Sequence, residues 1–446
     1  MRLQHIDMWK KLCIVTACAG ACVMLAEAPS AYAIRNATVV TVSGPVLKRG
    51  TVVIRDGLIQ DVGENVTLPA DTWVIEGEGL TVYPGLINAL SKWGIAESSP
   101  PPAAAAKPAA PAQRGPATPA PPARPSGPED RPSNTSWLRA ADLVNTSDPR
   151  LETARNAGFT TAVAFPTRGI FAGEGAVINL AGQRAGDVVV QPRAGLYMTL
   201  ATGGVGGYPA SLMGTTAYIR QVFLDLDHYR LAKEAYARNP SGLKRPAYDR
   251  ALEGLVDSPR ILLPATTAVQ IERALRLADE LKVRMVVYGG HEAYRVSGLL
   301  AKSQTPVLVS LEWPGRERDA DPADEESLRL LEMRDRAPSA PGVLAKAGVP
   351  FAFYSDGTEA PRDILKAVRR AIVAGLSQDE AVRALTLSPA RIYGVADRLG
   401  SLERGKIANL ILTSGELFQD STVVKYVFVD GVKFEPPPEP REEKKP

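Results

Sequence analysis

Histidine and cysteine are nearly absent from this chain, with three of each among 446 residues. Cys13, Cys18 and Cys22 all stand near the N-terminus. Downstream of them there is no thiol for a disulfide, a thiolate metal site or a cysteine nucleophile. The histidines are His5, His228 and His291. The last two, far apart in sequence, do not make the three or four donors of a zinc site. Charge of one sign is also scarce. Lys and Arg number 52 against 49 Asp and Glu, a formal net charge of +3, which excludes the electrostatic footprint of a nucleic-acid binder. The apolar run Leu12–Leu25 is too short to span a bilayer.

That run reads instead as the core of an export signal. Lys10 and Lys11 precede it, and Ala31-Tyr32-Ala33 supplies a small-x-small cleavage pattern. The expectation is a signal peptide over 1–33, cleaved near Ala33, and an exported protein that is periplasmic or secreted. A lipoprotein signal at Cys18 or Cys22 is the alternative, although both cysteines lie inside the apolar run rather than after it. The thiol-free remainder suits an oxidising compartment.

The rest of the chain has a globular balance, with 45% apolar and 23% charged residues. Short β-branched runs at Thr38–Val42, Thr51–Arg55, Leu58–Val62 and Trp73–Ile75 predict strands, with Asp56-Gly57 as a hairpin turn. The C-terminal part returns to this style at Asn409–Leu412 and Val423–Val429, with Asp430-Gly431 as a second turn. Each group alone would leave open sheet edges, so the two are expected to form one small composite β-sandwich over 34–83 and 398–435.

Between them, over 84–397, buried-strand and helical patterns alternate. The strands expected are Pro84–Ala89, Thr160–Phe165, Ala176–Leu180, Gly195–Leu200, Arg260–Pro264, Arg284–Tyr288, Pro306–Leu311 and Pro350–Tyr354. Alternation with helices implies a parallel sheet, and eight units imply an α/β fold of the (β/α)8 TIM-barrel type. Residues 97–134, dominated by Pro and Ala, read as a disordered insertion behind the first barrel strand, where it would hang near the mouth as a passive loop, a lid or a tether. The tail 436–446, Pro-rich and charged, is expected to fray.

Two stretches carry a family resemblance. GTVVIRDGLIQDVGENVTLPADTWVIEGEGLTVYPGLI and GLSQDEAVRALTLSPARIYGVADRLGSLERGKIANLIL resemble the barrel entry and the closing helices of the amidohydrolase superfamily, in its imidazolonepropionase-like branch. The resemblance implies an amidohydrolase, a hydrolase of non-peptide C–N bonds in amides or cyclic amides, with zinc or another divalent metal as the family norm. It places two histidine ligands after the first strand, where this chain has Leu90 and Lys92 in PGLINALSK. The ligands after strands five and six fall at Pro264 and Gly289, no lysine follows strand four, and the strand-eight aspartate is kept as Asp356. No metal cofactor is therefore expected.

Asp356 is the candidate residual catalytic group, with a turn residue as the plainer alternative. Lys92 is the candidate charge partner, since a lysine could supply the positive charge of an absent cation to a buried carboxylate. Thr266, Glu292 and His291 follow strands and are candidate pocket residues, as is Trp313. His228 falls in a helical stretch and reads as a surface histidine. The glycine-dense run Thr202–Tyr208 reads as a loop shaping the mouth rather than a phosphate cradle. Two functions stand on this evidence. One is a C–N hydrolase with a changed mechanism. The other is a non-catalytic protein that binds a small-molecule ligand in the old pocket, or forms a homo-oligomer or a hetero-oligomer with an active relative.

Overall fold

The computed structural model describes residues 31–95, 128–202, 207–316, 321, 325–356 and 360–437. The leader up to Ser30, most of the Pro/Ala insertion, residues 203–206 of the glycine-dense run and the tail from residue 438 lie outside the described residues. Among the described residues, sixteen strands, numbered along the chain, fall into two sheets. The first sheet takes β1 (Ala31–Val39), β2 (Leu47–Arg55), β3 (Leu58–Gly63), β4 (Trp73–Glu76) and β5 (Thr81–Pro84) from one end of the chain. The second takes β6 (Leu86–Ser91), β7 (Phe159–Ala164), β8 (Phe171–Asn179), β9 (Val189–Met198), β10 (Ile261–Ala265), β11 (Met285–Gly289), β12 (Val307–Ser310) and β13 (Phe351–Tyr354). β14 (Leu410–Thr413), β15 (Val424–Val429) and β16 (Val432–Phe434) then return to the first sheet.

The two chain ends meet where β5 pairs antiparallel with β14, Leu410 opposite Pro84 and Thr413 opposite Thr81. Each edge thus hides the other, which either segment alone would leave open. The far edge is covered too: Ile59 N–H donates to Lys406 O at 2.8 Å and Ala408 N–H to Gly57 O at 2.8 Å. Ile34, Val52, Ile54, Leu410, Leu412 and Phe428 fill the interior of this sheet. Both predicted hairpin turns form. Asp56 and Gly57 have φ 51° and 78°, Asp430 and Gly431 have φ 52° and 76°, the left-handed pair that a two-residue primed turn demands. A Cβ on Gly431 would lie 2.7 Å from Gly57 Cα, so the turns stack glycine on glycine.

Glu403 fastens the segment leading into β14. Its carboxylate accepts from Ser401 Oγ at 2.6 Å and from Lys406 Nζ at 2.9 Å. The Ser401 hydroxyl, with Lys406 beside it, pulls the carboxyl down to about 2. The folded value lies below the unfolded one, so the stabilisation is full above the unfolded carboxyl range and is lost as pH falls toward 2. Glu403 is 47% exposed, and solvent keeps the effect small. The expected result is a wild-type advantage over Glu403→Gln in chemical denaturation at pH 6 that has vanished by pH 2. An advantage that persisted at pH 2 would contradict this ion pair.

All eight anticipated barrel strands are present, in the order β6 to β13 around the sheet. The structure is a nearly closed barrel of the (β/α)8 kind with the extra sheet domain. One expectation fails. β8 runs antiparallel to both β7 and β9, so the sheet is not wholly parallel. Only six residues separate β7 from β8, too few for the crossover of about a dozen residues that parallel neighbours require. The chain must turn straight back.

The seam between β13 and β6 is closed by a side chain. Asn88, 1% exposed, donates from Nδ2 to Ser355 Oγ at 2.8 Å and accepts the Ser355 N–H at 3.2 Å. Leu385 O accepts the Ile87 N–H at 2.7 Å, so the free edge of β6 is satisfied without a ladder. The helix Leu387–Tyr393 plugs the floor: Tyr393 packs into the barrel interior and donates to Ala89 O at 2.6 Å. Residues 128–134, counted with the insertion on composition, are ordered. Arg131 is bonded to Asp225 and Asp249, and Asn134 bridges Phe171.

Candidate functional site at the barrel mouth

The parallel strands end at one face, and the side chains at those ends form the mouth. Three tyrosines occupy it, at positions where β9, β11 and β13 close. Tyr197 and Tyr288 stack with ring centroids 5.0 Å apart, and Tyr354 stands edge-on to Tyr288 at 6.3 Å. Phe165 leans on Tyr197 at 5.8 Å. Tyr288 donates to Met198 O at 2.9 Å, and Tyr354 to Asp356 Oδ2 at 3.0 Å. Burial, reinforced by neighbouring phenols and Asp356, pushes the Tyr288 and Tyr354 hydroxyls up. They are neutral donors at any physiological pH.

These rings were missed in the sequence. The signal was available: the runs VVYG and FAFY close β11 and β13, and Tyr197 is the penultimate residue of β9. Inside a closed barrel an aromatic residue near a strand end fills the mouth.

Asp356 is exposed and has φ 40°, the left-handed region that aspartate tolerates in turns. The predicted Lys92–Asp356 pair does not form. Lys92 is exposed, no ion pair joins it to Asp356, and the carboxylate takes its hydrogen bond from Tyr354 instead. The expectation treated Asp356 as desolvated. Water reaches the carboxylate, so it needs no cation.

His291 lies deeper, 8% exposed, with its ring 5.9 Å from that of Trp313. Gly289 and Gly290, at φ 110° and 64°, turn the chain out of β11 and carry it there. Burial holds the imidazole below its usual range, opposed by a hydrogen bond to the Ser310 backbone and by the field of Asp356. Its Nε2 is buried without a partner. Glu292 is committed elsewhere: its carboxylate accepts Ala268 N–H at 2.8 Å, at the start of the helix Ala268–Leu281. Thr266 donates its N–H to Gln270 Oε1 at 2.9 Å and abuts Gly289. Trp313 donates to Ala367 O at 2.9 Å, and His228 is exposed on the helix Leu212–Arg238. Of the candidates, the structure sets His291 against Trp313 and joins Glu292 N–H to Thr266 O at 2.9 Å, while Asp356 reaches His291 only through its field.

A zinc site needs three or four converging donors. Among the described residues no three His, Cys, Asp or Glu side chains come together to hold a metal ion. The neutral phenols of Tyr288 and Tyr354 do not replace them. Among the described residues, the donors at the mouth do not make up the set that the divalent metal implied by the family resemblance requires.

Comparison with known proteins places this architecture. The amidohydrolase family model matches residues 309–433, from β12 through the closing helices into the first sheet. A stretch of 57 residues is 51% identical to the 5'-deoxyadenosine deaminase of Methanosarcina acetivorans, spanning 12% of this chain and 13% of that protein. The crystal structure of an amidohydrolase from Thermotoga maritima covers 91% of this chain and 100% of its own, at 26% identity and a TM-score of 0.73. A Xaa-Pro dipeptidase structure aligns over 91% of this chain and 100% of its own at 15% identity, with a TM-score of 0.54, a likeness of fold. Residues 309–433 thus match the amidohydrolase family, and the resemblance is to hydrolases of C–N bonds.

Proposed function

We propose that this amidohydrolase-family chain is an exported protein that does not carry out metal-dependent C–N hydrolysis, and that its barrel mouth binds a small planar ligand. His291 carries the reading. A buried acceptor without a partner costs about 1–3 kcal/mol, and a ligand N–H donated to Nε2 would recover it. Burial keeps the imidazole neutral and accepting, the Trp313 ring lies 5.9 Å from it, and the stacked Tyr197 and Tyr288 rings offer a further flat surface at the strand ends. Leu90, Lys92, Pro264 and Gly289 at the positions the resemblance gives to ligands support the absence of a metal.

The leader supports export, with one refinement. Ala31, Tyr32 and Ala33 pair with β2, and Tyr32 packs edge-on against Phe428 at 5.3 Å. Processing ahead of Ala31 preserves that contact, whereas a cut after Ala33 removes it.

The test is metal analysis of the purified protein beside hydrolysis assays on amides and cyclic amides, with and without added Zn²⁺. Substoichiometric metal and no zinc-stimulated turnover are expected. Stoichiometric zinc that disappears in Asp356→Ala would overturn the reading. Hydantoin, a planar cyclic N–H donor, is expected to bind saturably to the wild type and not to His291→Ala. Equal binding to both would remove His291 from the site.

A further inference from the structure

At the opposite end of the barrel lies a cavity of about 790 Å³, within the usual range of small-molecule sites. β10 is five residues long, so at ~3.3 Å per residue this floor lies roughly 16 Å from the mouth. Arg260 and Arg284 reach it from the residues just before β10 and β11, Arg383 and Arg391 from the helices Gln378–Ala384 and Leu387–Tyr393. Glu380 is the one carboxylate in the lining, against four guanidiniums, a local excess of three positive charges.

Among the described residues that excess is only partly offset: no carboxylate lies within ion-pair distance of Arg260, Arg284 or Arg391. Glu380 Oε1 sits 3.6 Å from Arg383 Nε, an ion pair too long for a hydrogen bond. Glu174, the other nearby acid, is committed: it accepts from Gly195 N–H at 2.9 Å and Ser258 Oγ at 3.2 Å and faces Arg193 at 4.0 Å. Arg260 is fixed in place, donating from Nη1 to Ala194 O at 2.9 Å, with its guanidinium 5.7 Å from the Tyr393 ring centre. Burial, with Arg284 adding to it and Tyr393 and the more distant Glu174 opposing, pulls the Arg260 guanidinium down, as expected of a buried cation crowded by another.

The geometry points to a binding site for a small, multiply charged oxyanion, a phosphoryl compound or a polycarboxylate, held by Arg260, Arg284, Arg383 and Arg391 at the barrel floor. Planar guanidinium forks match both oxyanions bidentately, and a ligand with at least two charges offsets the local excess. The site is independent of the mouth, so its test does not depend on what the mouth binds.

Calorimetric titration of the full chain with pyrophosphate and, separately, with citrate, each against sodium chloride at matched ionic strength, tests it. Saturable one-to-one binding is expected, weakened at least tenfold in Arg284→Gln and in Arg391→Gln, whose side chains are exposed and leave the packing intact. Binding of pyrophosphate alone assigns a phosphoryl ligand, and binding of citrate alone a polycarboxylate. No binding beyond the chloride control, or equal binding to the wild type and both variants, overturns the proposal.

Discussion

Replacing Tyr288 with alanine is expected to destabilise the protein by about 3–5 kcal/mol, the cost of emptying a ring-sized volume in a packed interior. Tyr288 stacks on Tyr197 and meets Tyr354 edge-on, so its removal deprives two further rings of a neighbour. At ~2 °C per kcal/mol for a large chain, the midpoint should fall by roughly 5–10 °C. Tyr288→Phe keeps the ring and loses only the bond to Met198 O, worth about 1 kcal/mol. Thermal unfolding of the two variants separates packing from polarity. A loss under about 1 °C in Tyr288→Ala would mean that the ring is not part of a packed core. The same pair bears on function. If hydantoin binding survives Tyr288→Phe while alanine abolishes it, the mouth uses the ring face and not the hydroxyl.

Much of this architecture could be read from residues. Eight strands and both Asp-Gly turns fall where β-branched runs and turn chemistry put them, because period and turn type are local properties. The direction of β8 was not recovered, although the means existed. Once its start moves from Ala176 back to Phe171, only six residues remain after β7, and no crossover helix fits. Strand direction is a matter of connection length, and the error lay in where the strand began. The Lys92–Asp356 pair failed for a different reason. Charge compensation is needed only where water is excluded, and exposure at a strand end depends on how far the turn projects, which no periodicity reports. Asn88 shows the same limit. An asparagine inside an apolar run is visible in the sequence, but its part in closing the β6–β13 seam exists only once both strands are in place.

Histidines installed at 90, 92, 264 and 289 are expected not to create a metal site, and the reason lies in the backbone. Gly289 has φ 110°, where an L-residue is strained by about 1–3 kcal/mol. A Cβ there would also sit 2.9 Å from Thr266 Oγ1 and 3.3 Å from Ala265 O. At position 264 the obstacle is pairing. The β9–β10 ladder ends at Leu262, while β10–β11 pairing runs on to Ala265, so Pro264 stands where its missing N–H leaves no broken bond. A histidine there adds a donor with no strand to receive it. The fourfold variant should unfold at a lower temperature than the wild type and hold substoichiometric zinc after dialysis. Gly289→His alone should account for a large share of the stability loss. Tight, stoichiometric zinc in the fourfold variant, with stability restored on loading, would show that the strand ends still carry the ligand geometry and that only side chains had changed. On the expected result, the mouth differs from a metal site in the path of its main chain. A strained glycine bend carries the chain past the ligand position to His291, and a proline marks where strand pairing stops.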